Sequence, residues 1–333
     1  MEDVEHTHPD PVSDPLGVAA LVGAVQSARG RRPTPDHDTA GAAPRPSDAD
    51  LGAFTRAVLR RVAPAELSMT DPELVAPSIL TAFDLFVGRA PGTVAVQVVP
   101  VTSSMFGPEG GQTAVDVATE DRPVLFSTVL AALEHDGLTV QRFTHPVLDV
   151  ERGPDGSVRA LDPSPGADRD EVLVHVEVAE PLDEQARDRV TADVRLAIDD
   201  LLAAEADLPA LRERVEGLAA RLEATGVDDR VEAAAFLRWL LGGNFLFVGS
   251  GDEPGAAALG VCRTRAPAAA RAPVDPHPVD DAPLALRRSL ATSRIGRDER
   301  LAELLVADLD DDGRRRGTVR VLGLTTLRGR SER

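Results

Sequence analysis

Few residues in this chain have the type and spacing that chemistry demands. His175 and Glu177 lie two apart within a run that alternates with period two, so they share one face of a strand. That placement suits a pair of metal ligands or an acid and a base. It equally suits a polar stripe paired across strands, which is favoured because no third ligand lies nearby. His6 and His8 form a histidine pair, but two ligands in a Pro- and Asp-rich stretch fall short of a metal set. His145 precedes Pro146 and reads as a bulge residue. Arg314 to Arg316 beside Asp310 to Asp312 reads as a solvated turn. Cys262 is the only cysteine, so neither an internal disulfide nor a thiolate cluster is available, and it is expected to be a small buried residue.

The turn Thr119-Glu120-Asp121-Arg122-Pro123 is the better binding candidate. A strand-to-helix turn exposes amides at the positive end of a helix dipole, which suits a carboxylate ligand. Arg122 could add a bidentate contact. The same residues also describe a helix capped by Asp121, and both readings stand.

Other chemistries are excluded by composition. All 36 basic residues are arginine, so lysine-dependent chemistry has no residue to act: Schiff bases, Walker-type phosphoryl transfer, the amino-acid dehydrogenase lysine. Gly249-Ser250-Gly251 is followed by Asp252, Glu253 and Pro254 and not by a helix, so the dinucleotide fingerprint fails on context. A net charge of −19 repels nucleic-acid backbones and anionic membranes. No apolar run reaches membrane-spanning length, and a cytoplasmic location is expected.

The elements that must position these residues are legible in the periodicity. Residues 1–48 read as an acidic, Pro-rich tail with one short helix, Pro15 to Ala28. Helical patterns follow at Asp50 to Val62 and Asp71 to Val87, making an N-terminal helical segment over 49–92. Strands are expected at Thr93 to Val101, Thr113 to Thr119, Leu138 to Arg152 (broken at His145-Pro146), Ser157 to Leu161 and Val172 to Val178. Helices are expected from Asp121 to Gly137 and from Leu182 to Ala204. This order is close to the ferredoxin-like βαββαβ plan over residues 93–206, an α+β fold whose open sheet face needs a partner. A helical connector over 207–243, with a helix from Leu208 to Leu222, leads to a second, partial module over 244–333. There Phe245 to Gly249 pairs with Ala257 to Cys262, Arg265 to Pro283 is an irregular insertion, and Ala302 to Leu309 and Thr318 to Leu327 are late strands.

Asp121-Arg122-Pro123-Val124-Leu125 resembles the Asp-x-Pro-Gly-Leu turn of ACT domains, regulatory modules that often bind amino acids. Further matches occur in order: Arg89-Ala90-Pro91-Gly92, Glu120 to Val129, His145-Pro146-Val147-Leu148 through Asp155-Gly156, His175-x-Glu177, Asp193-Val194-Arg195, and Ala233 to Leu240 with Asn244-Phe245 and Phe247-x-Gly249. Together they resemble the N-terminal, ACT-like segment of the large bacterial-type NAD-specific glutamate dehydrogenases. The expected ligand-binding residues are Thr119, Asp121, Arg122 and Ser127; at Ser127 the chain departs from the family's turn, which carries Asp there. The resemblance implies an ACT-like fold and a regulatory or assembly role in amino-acid metabolism. It places catalysis and NAD binding in parts of the family outside this chain, so no cofactor is expected here. The partners it implies are an amino acid, a second copy, or a dehydrogenase catalytic chain. A piece of a split dehydrogenase and a degenerate interaction module are the alternatives.

Overall fold

A computed structural model describes residues 16–32, 46–60, 62, 71–106, 111–161, 170–251, 256–264, 284–288, 299–309 and 315–326. The chain divides into two compact units, 1–122 with 137–192 and 123–136 with 193–333. His6, His8, the 265–283 insertion and Asp310 to Arg314 lie outside the described residues.

The first unit begins with three helices: α1 (Leu16–Arg31), α2 (Asp48–Leu59) and α3 (Pro72–Gly88). Ser47 starts α2 through a reciprocal capping box with Asp50, and Asp71 caps α3 ahead of Pro72. α1 contributes Leu21 and Val25 to the same core as Phe54, Phe83 and Phe86, so this segment of the expected tail is built into the fold.

The sheet of this unit is antiparallel throughout: β1 (Ala95–Pro100), β2 (Thr113–Glu120), β3 (Val140–Thr144), β4 (Val147–Arg152), β5 (Val158–Leu161) and β6 (Asp170–Val178). The order is β1-β2-β6-β4-β5, with β3 also on β6. β3 and β4 are the two halves of the strand that Pro146 interrupts, and both pair with β6. The place beside β2 is held by β1, from the N-terminal side, so the strands and helices form an α+β, ACT-like body. One sheet face carries Val115, Val117, Val172, Val174, Val176 and Val178, all buried. The other carries Ala118 and Leu173, which join the core of α1, α2 and α3. The face expected to need a partner is therefore covered by this chain's own N-terminal helices.

In the second unit, α4 (Leu125–His135) ends at Gly137, which takes the left-handed φ of 76° that a helix stop favours. α5 (Glu184–Ala224) enters from the first unit and runs unbroken through Pro209. The sequence suggests two helices there because a proline removes one amide and crowds the preceding turn. The buried stripe Leu211, Val215, Leu218, Leu222 continues past it and holds the helix together. α6 (Asp228–Trp239) follows, then a π-type turn (Leu240–Asn244) inside which Gly243 takes a φ of 97°. The second sheet is β7 (Leu246–Gly251), β8 (Leu259–Gly260), β9 (Leu284–Arg288), β10 (Glu299–Leu309) and β11 (Arg315–Thr326), ordered β8-β7-β11-β10-β9. The expected 257–262 strand is only two residues long, because a short helix α7 (Val261–Thr264) replaces its second half.

Candidate functional site

The ionisable residues of the first sheet converge on its helix-covered face. β2 and β6 pair in a register that sets Asp116 opposite His175, and β1 sets Gln97 opposite Asp116. His175 is 1% exposed. Its Nδ1 meets Asp116 Oδ1 at 2.5 Å and its Nε2 meets Glu177 Oε1 at 3.3 Å. Gln97 donates to the other Asp116 oxygen at 2.8 Å and to the Thr81 carbonyl of α3 at 3.3 Å. Glu177 accepts from the Ser104 hydroxyl at 2.6 Å, the Met105 amide at 3.1 Å and the Gly111 amide at 2.9 Å. The carboxylate thus ties both ends of the β1–β2 connection to the sheet.

Burial alone would push the His175 pKa down, but the charge and hydrogen bond of Asp116, then those of Glu177, raise it to about 9. Burial would likewise raise Glu177, yet the hydrogen bond and charge of His175, with Ser104 and Gly111, hold it below the usual glutamate value. At neutral pH the ring is an imidazolium donating to two carboxylates. An imidazolium has no lone pair with which to take a proton or ligate a metal, and both its nitrogens face carboxylates. Of the two readings His175 and Glu177 allow, the cross-strand pairing is the one formed. Among the described residues no group of three or more His, Cys, Asp or Glu could hold a metal ion.

A second buried cluster lies along the same face. Arg152 makes a bidentate pair with Glu171, Nε to Oε1 at 2.7 Å and a terminal nitrogen to Oε2 at 2.8 Å. Arg89, at the end of α3, forms a further ion pair with Glu171. Arg89 also donates to the Thr93 carbonyl at 2.9 Å, and Arg152 to the carbonyls of Arg89 and Gly156 at 3.0 and 2.8 Å. Burial would raise the Glu171 pKa, but the hydrogen bonds and charges of Arg152 and Arg89 keep it low. The Arg89-Ala90-Pro91-Gly92 turn is thereby locked to the sheet.

The expected ligand turn is divided between the units. Thr119 is buried within β2, and the Asp121 amide bonds the Asp170 carbonyl at 2.9 Å. Arg122 pairs with Glu120 at 2.8 Å. Ser127, in the second unit, donates to the Val124 carbonyl at 3.0 Å. Asp121 is not the helix cap: α4 starts at Leu125 behind Val124, with no side-chain cap. Val124 has φ 56°, a left-handed conformation costly for a β-branched residue. It stands where the ACT-type turn has Gly, which adopts that conformation freely.

Other sequence candidates are placed without forming a site. His145 lies in the β3–β4 break, its ring 6.4 Å from that of Phe143. Cys262 is half-buried on α7, and not fully buried as expected, because the strand gives way to a helix there. Arg315 and Arg316 begin β11 and so belong to a strand instead of a turn. Gly249 to Gly251 lie inside β7, bonded to β11, so they offer no glycine turn to a dinucleotide pyrophosphate. No helix among the described residues is long and apolar enough to cross a membrane. Asp116, Ser104, Arg152 and Glu171 escape sequence reasoning, since their partnership depends on strand register. Arg89 is visible only through its motif.

Residues 54–194, from α2 into α5, match the family described as glutamate dehydrogenase, ACT1 domain. Over 197 residues the chain is 30% identical to an NAD-specific glutamate dehydrogenase of Mycobacterium tuberculosis, a match covering 56% of this chain and 12% of that protein. Over 151 residues it is 28% identical to an NAD-specific glutamate dehydrogenase of Halomonas elongata, covering 43% of this chain and 9% of that one. The chain thus spans about a tenth of the length of these curated relatives. Residues 54–194 are therefore similar to the ACT1 domain of glutamate dehydrogenases, and the wider matched part of the chain is similar to a segment of the NAD-specific enzymes.

Proposed function

We propose that this chain is a non-catalytic regulatory or assembly segment serving glutamate dehydrogenase chemistry in the cytoplasm. The match of residues 54–194 to the ACT1 domain carries the reading. The electrostatics support it. A general base must be neutral near the working pH and within reach of substrate, whereas His175 is buried and held protonated up to about pH 9. Glu171 and Glu177 are buried too, each bound to several donors within the fold. These groups brace a body and leave hydride chemistry to another chain or segment.

The relatives' printed name supplies the substrate class, glutamate with NAD, for the assembly in which this chain would act. An amino-acid ligand at the turn of Thr119, Asp121 and Arg122, with Ser127, is the sensing form of the same reading. The start of α4 without a side-chain cap favours it, since a ligand carboxylate can serve where a cap is missing.

The test pairs two measurements on the purified full chain. Glutamate-dependent NAD reduction is expected to be absent, and turnover by this chain alone would overturn the non-catalytic reading. Calorimetric titration with glutamate and aspartate separates the two roles. Heat of binding that falls in Arg122→Ala assigns sensing, and silence across both amino acids assigns assembly.

A further inference from the structure

We infer that the exposed face of α6 is a docking surface for a partner protein that presents an apolar helical stripe flanked by basic side chains. The inference deepens the assembly reading and rests on it. Buried Ala233, Ala234 and Leu237 face the core of the second unit. On the opposite side Val227, Val231 and Trp239 recur at four- and eight-residue steps and are 49%, 38% and 55% exposed. Phe236, itself packed against the core of this unit, stacks on Trp239 with ring centroids 5.7 Å apart and anchors that ring. Aromatics make up 3% of the chain and Trp239 is its only tryptophan, so exposing this ring to water is an unusual use of a scarce residue. Exposed tryptophan on an apolar stripe is the composition of an interface anchor.

Charge identifies the occupant. Asp228, Asp229 and Glu232 are exposed beside the stripe. Two arginines share the helix: Arg238 is committed to Glu216 at 3.0 Å and Glu223 at 2.9 Å on α5, and Arg230 is half-buried, so the three exposed carboxylates leave negative charge in excess. The rim that remains is acidic, on a chain of net charge −19. A second copy would set two such acidic rims together, and an anionic membrane would repel them. A basic-flanked apolar helix satisfies both the stripe and the rim.

Trp239 reports its own surroundings, so intrinsic fluorescence of the full chain reads the site directly. The probe is a synthetic amphipathic peptide with leucines at helical spacing and arginines on its flanks. Its glutamate-flanked counterpart and a dilution series of the protein alone are run beside it. The expected result is a shift of emission to shorter wavelength with the arginine peptide only, weakened by added salt. Replacing Val231→Glu should weaken binding by about tenfold or more, since it removes a valine that the partner would cover and places a carboxylate in the stripe. Val227→Glu should act the same way, and both positions are exposed enough to leave folding intact. The proposal is overturned by no shift, by an equal shift with the glutamate peptide, or by binding that Val231→Glu leaves unchanged. A shift that tracks protein concentration alone also overturns it, by assigning the stripe to a second copy. Glutamate turnover by the chain would count against the non-catalytic reading without moving this signal, so the two failures are distinguishable.

Discussion

Replacing Glu171→Gln removes the carboxylate at the centre of a buried ion cluster in the first unit. The carboxylate is 1% exposed, and its partners Arg89 and Arg152 are 0% and 6% exposed. The amide keeps the shape of glutamate but removes the negative charge, and it turns one oxygen into a donor facing guanidinium donors. Two buried cations then lose their counter-ion, a change that typically costs about 3–5 kcal/mol. Equilibrium urea unfolding of the full chain reads the loss. With a slope of about 2 kcal/mol per molar, the midpoint of the first unit should fall by about 2 M at neutral pH. Asp48→Asn is the matched control, since its pair with Arg29 leaves the aspartate side chain 75% exposed. The control should change stability by less than about 1 kcal/mol. An apolar replacement of the whole triad should not restore stability here, because Arg152 also satisfies the buried carbonyls of Arg89 and Gly156. The reasoning fails if Glu171→Gln costs no more than Asp48→Asn.

The pH dependence of unfolding should show two limbs. His175 has its folded pKa raised from 6.5 to about 9, so its contribution is complete below pH 6.5 and is lost as pH rises through 9. Unfolding followed from pH 6 to 10 should show this alkaline loss, and His175→Gln should flatten it. Glu177 is held below its ordinary value of 4.5, so its contribution is present above that pH and lost as acid protonates it. Glu177→Gln should therefore reduce the acid limb measured from pH 5 downward. Val124→Gly should raise stability by about 0.5–1 kcal/mol, since relief of a left-handed valine exceeds the added chain entropy of glycine. Thermal unfolding of this variant at a lower temperature than the parent would refute that. Gly111→Ala should destabilise by about 1–3 kcal/mol in urea, because a methyl there would clash with the Val178 backbone.

Much of the architecture is legible in the sequence, and the rest is hidden for identifiable physical reasons. The alternation of Val172 to Val178 and the break at Pro146 follow from side-chain period and a missing amide, both local properties. The continuity of α5 through Pro209 was hidden, because a proline usually ends a helix and only the tertiary stripe beyond it overrides that tendency. The cap of α4 differs from the sequence expectation for a similar reason. Asp121 is a good cap by type, but β2 and β6 hold its backbone in the sheet and delay the helix to Leu125. The site residues were half visible. His175 and Glu177 declared a shared face, whereas Asp116 and Gln97 meet them only through registers that no single strand encodes.

The polar face of the first sheet explains why the helices before it belong to the same body. A sheet face bearing Glu171, His175 and Glu177 would be stable in water, where each charge is solvated, and α1 to α3 take that water away. The desolvation is answered locally: Arg89 arrives from the end of α3 to meet Glu171, and the Thr81 carbonyl on α3 accepts from Gln97, which in turn holds Asp116. The Thr144 hydroxyl of β3 donates to the Val58 carbonyl of α2, and Asp50 on α2 accepts the Leu161 amide of β5. Glu171, Gln97, Thr144 and the Leu161 amide thus have partners whose positions depend on a helix being in place, while His175 and Glu177 are answered by the sheet and the β1–β2 connection. Such an interface is specific in a way that an apolar one is not, because a slipped or missing helix leaves buried charge unmatched. The family match beginning at residue 54, within α2, covers α3 and the sheet it braces. The helices are therefore part of the device that lets an acidic chain bury ionised side chains.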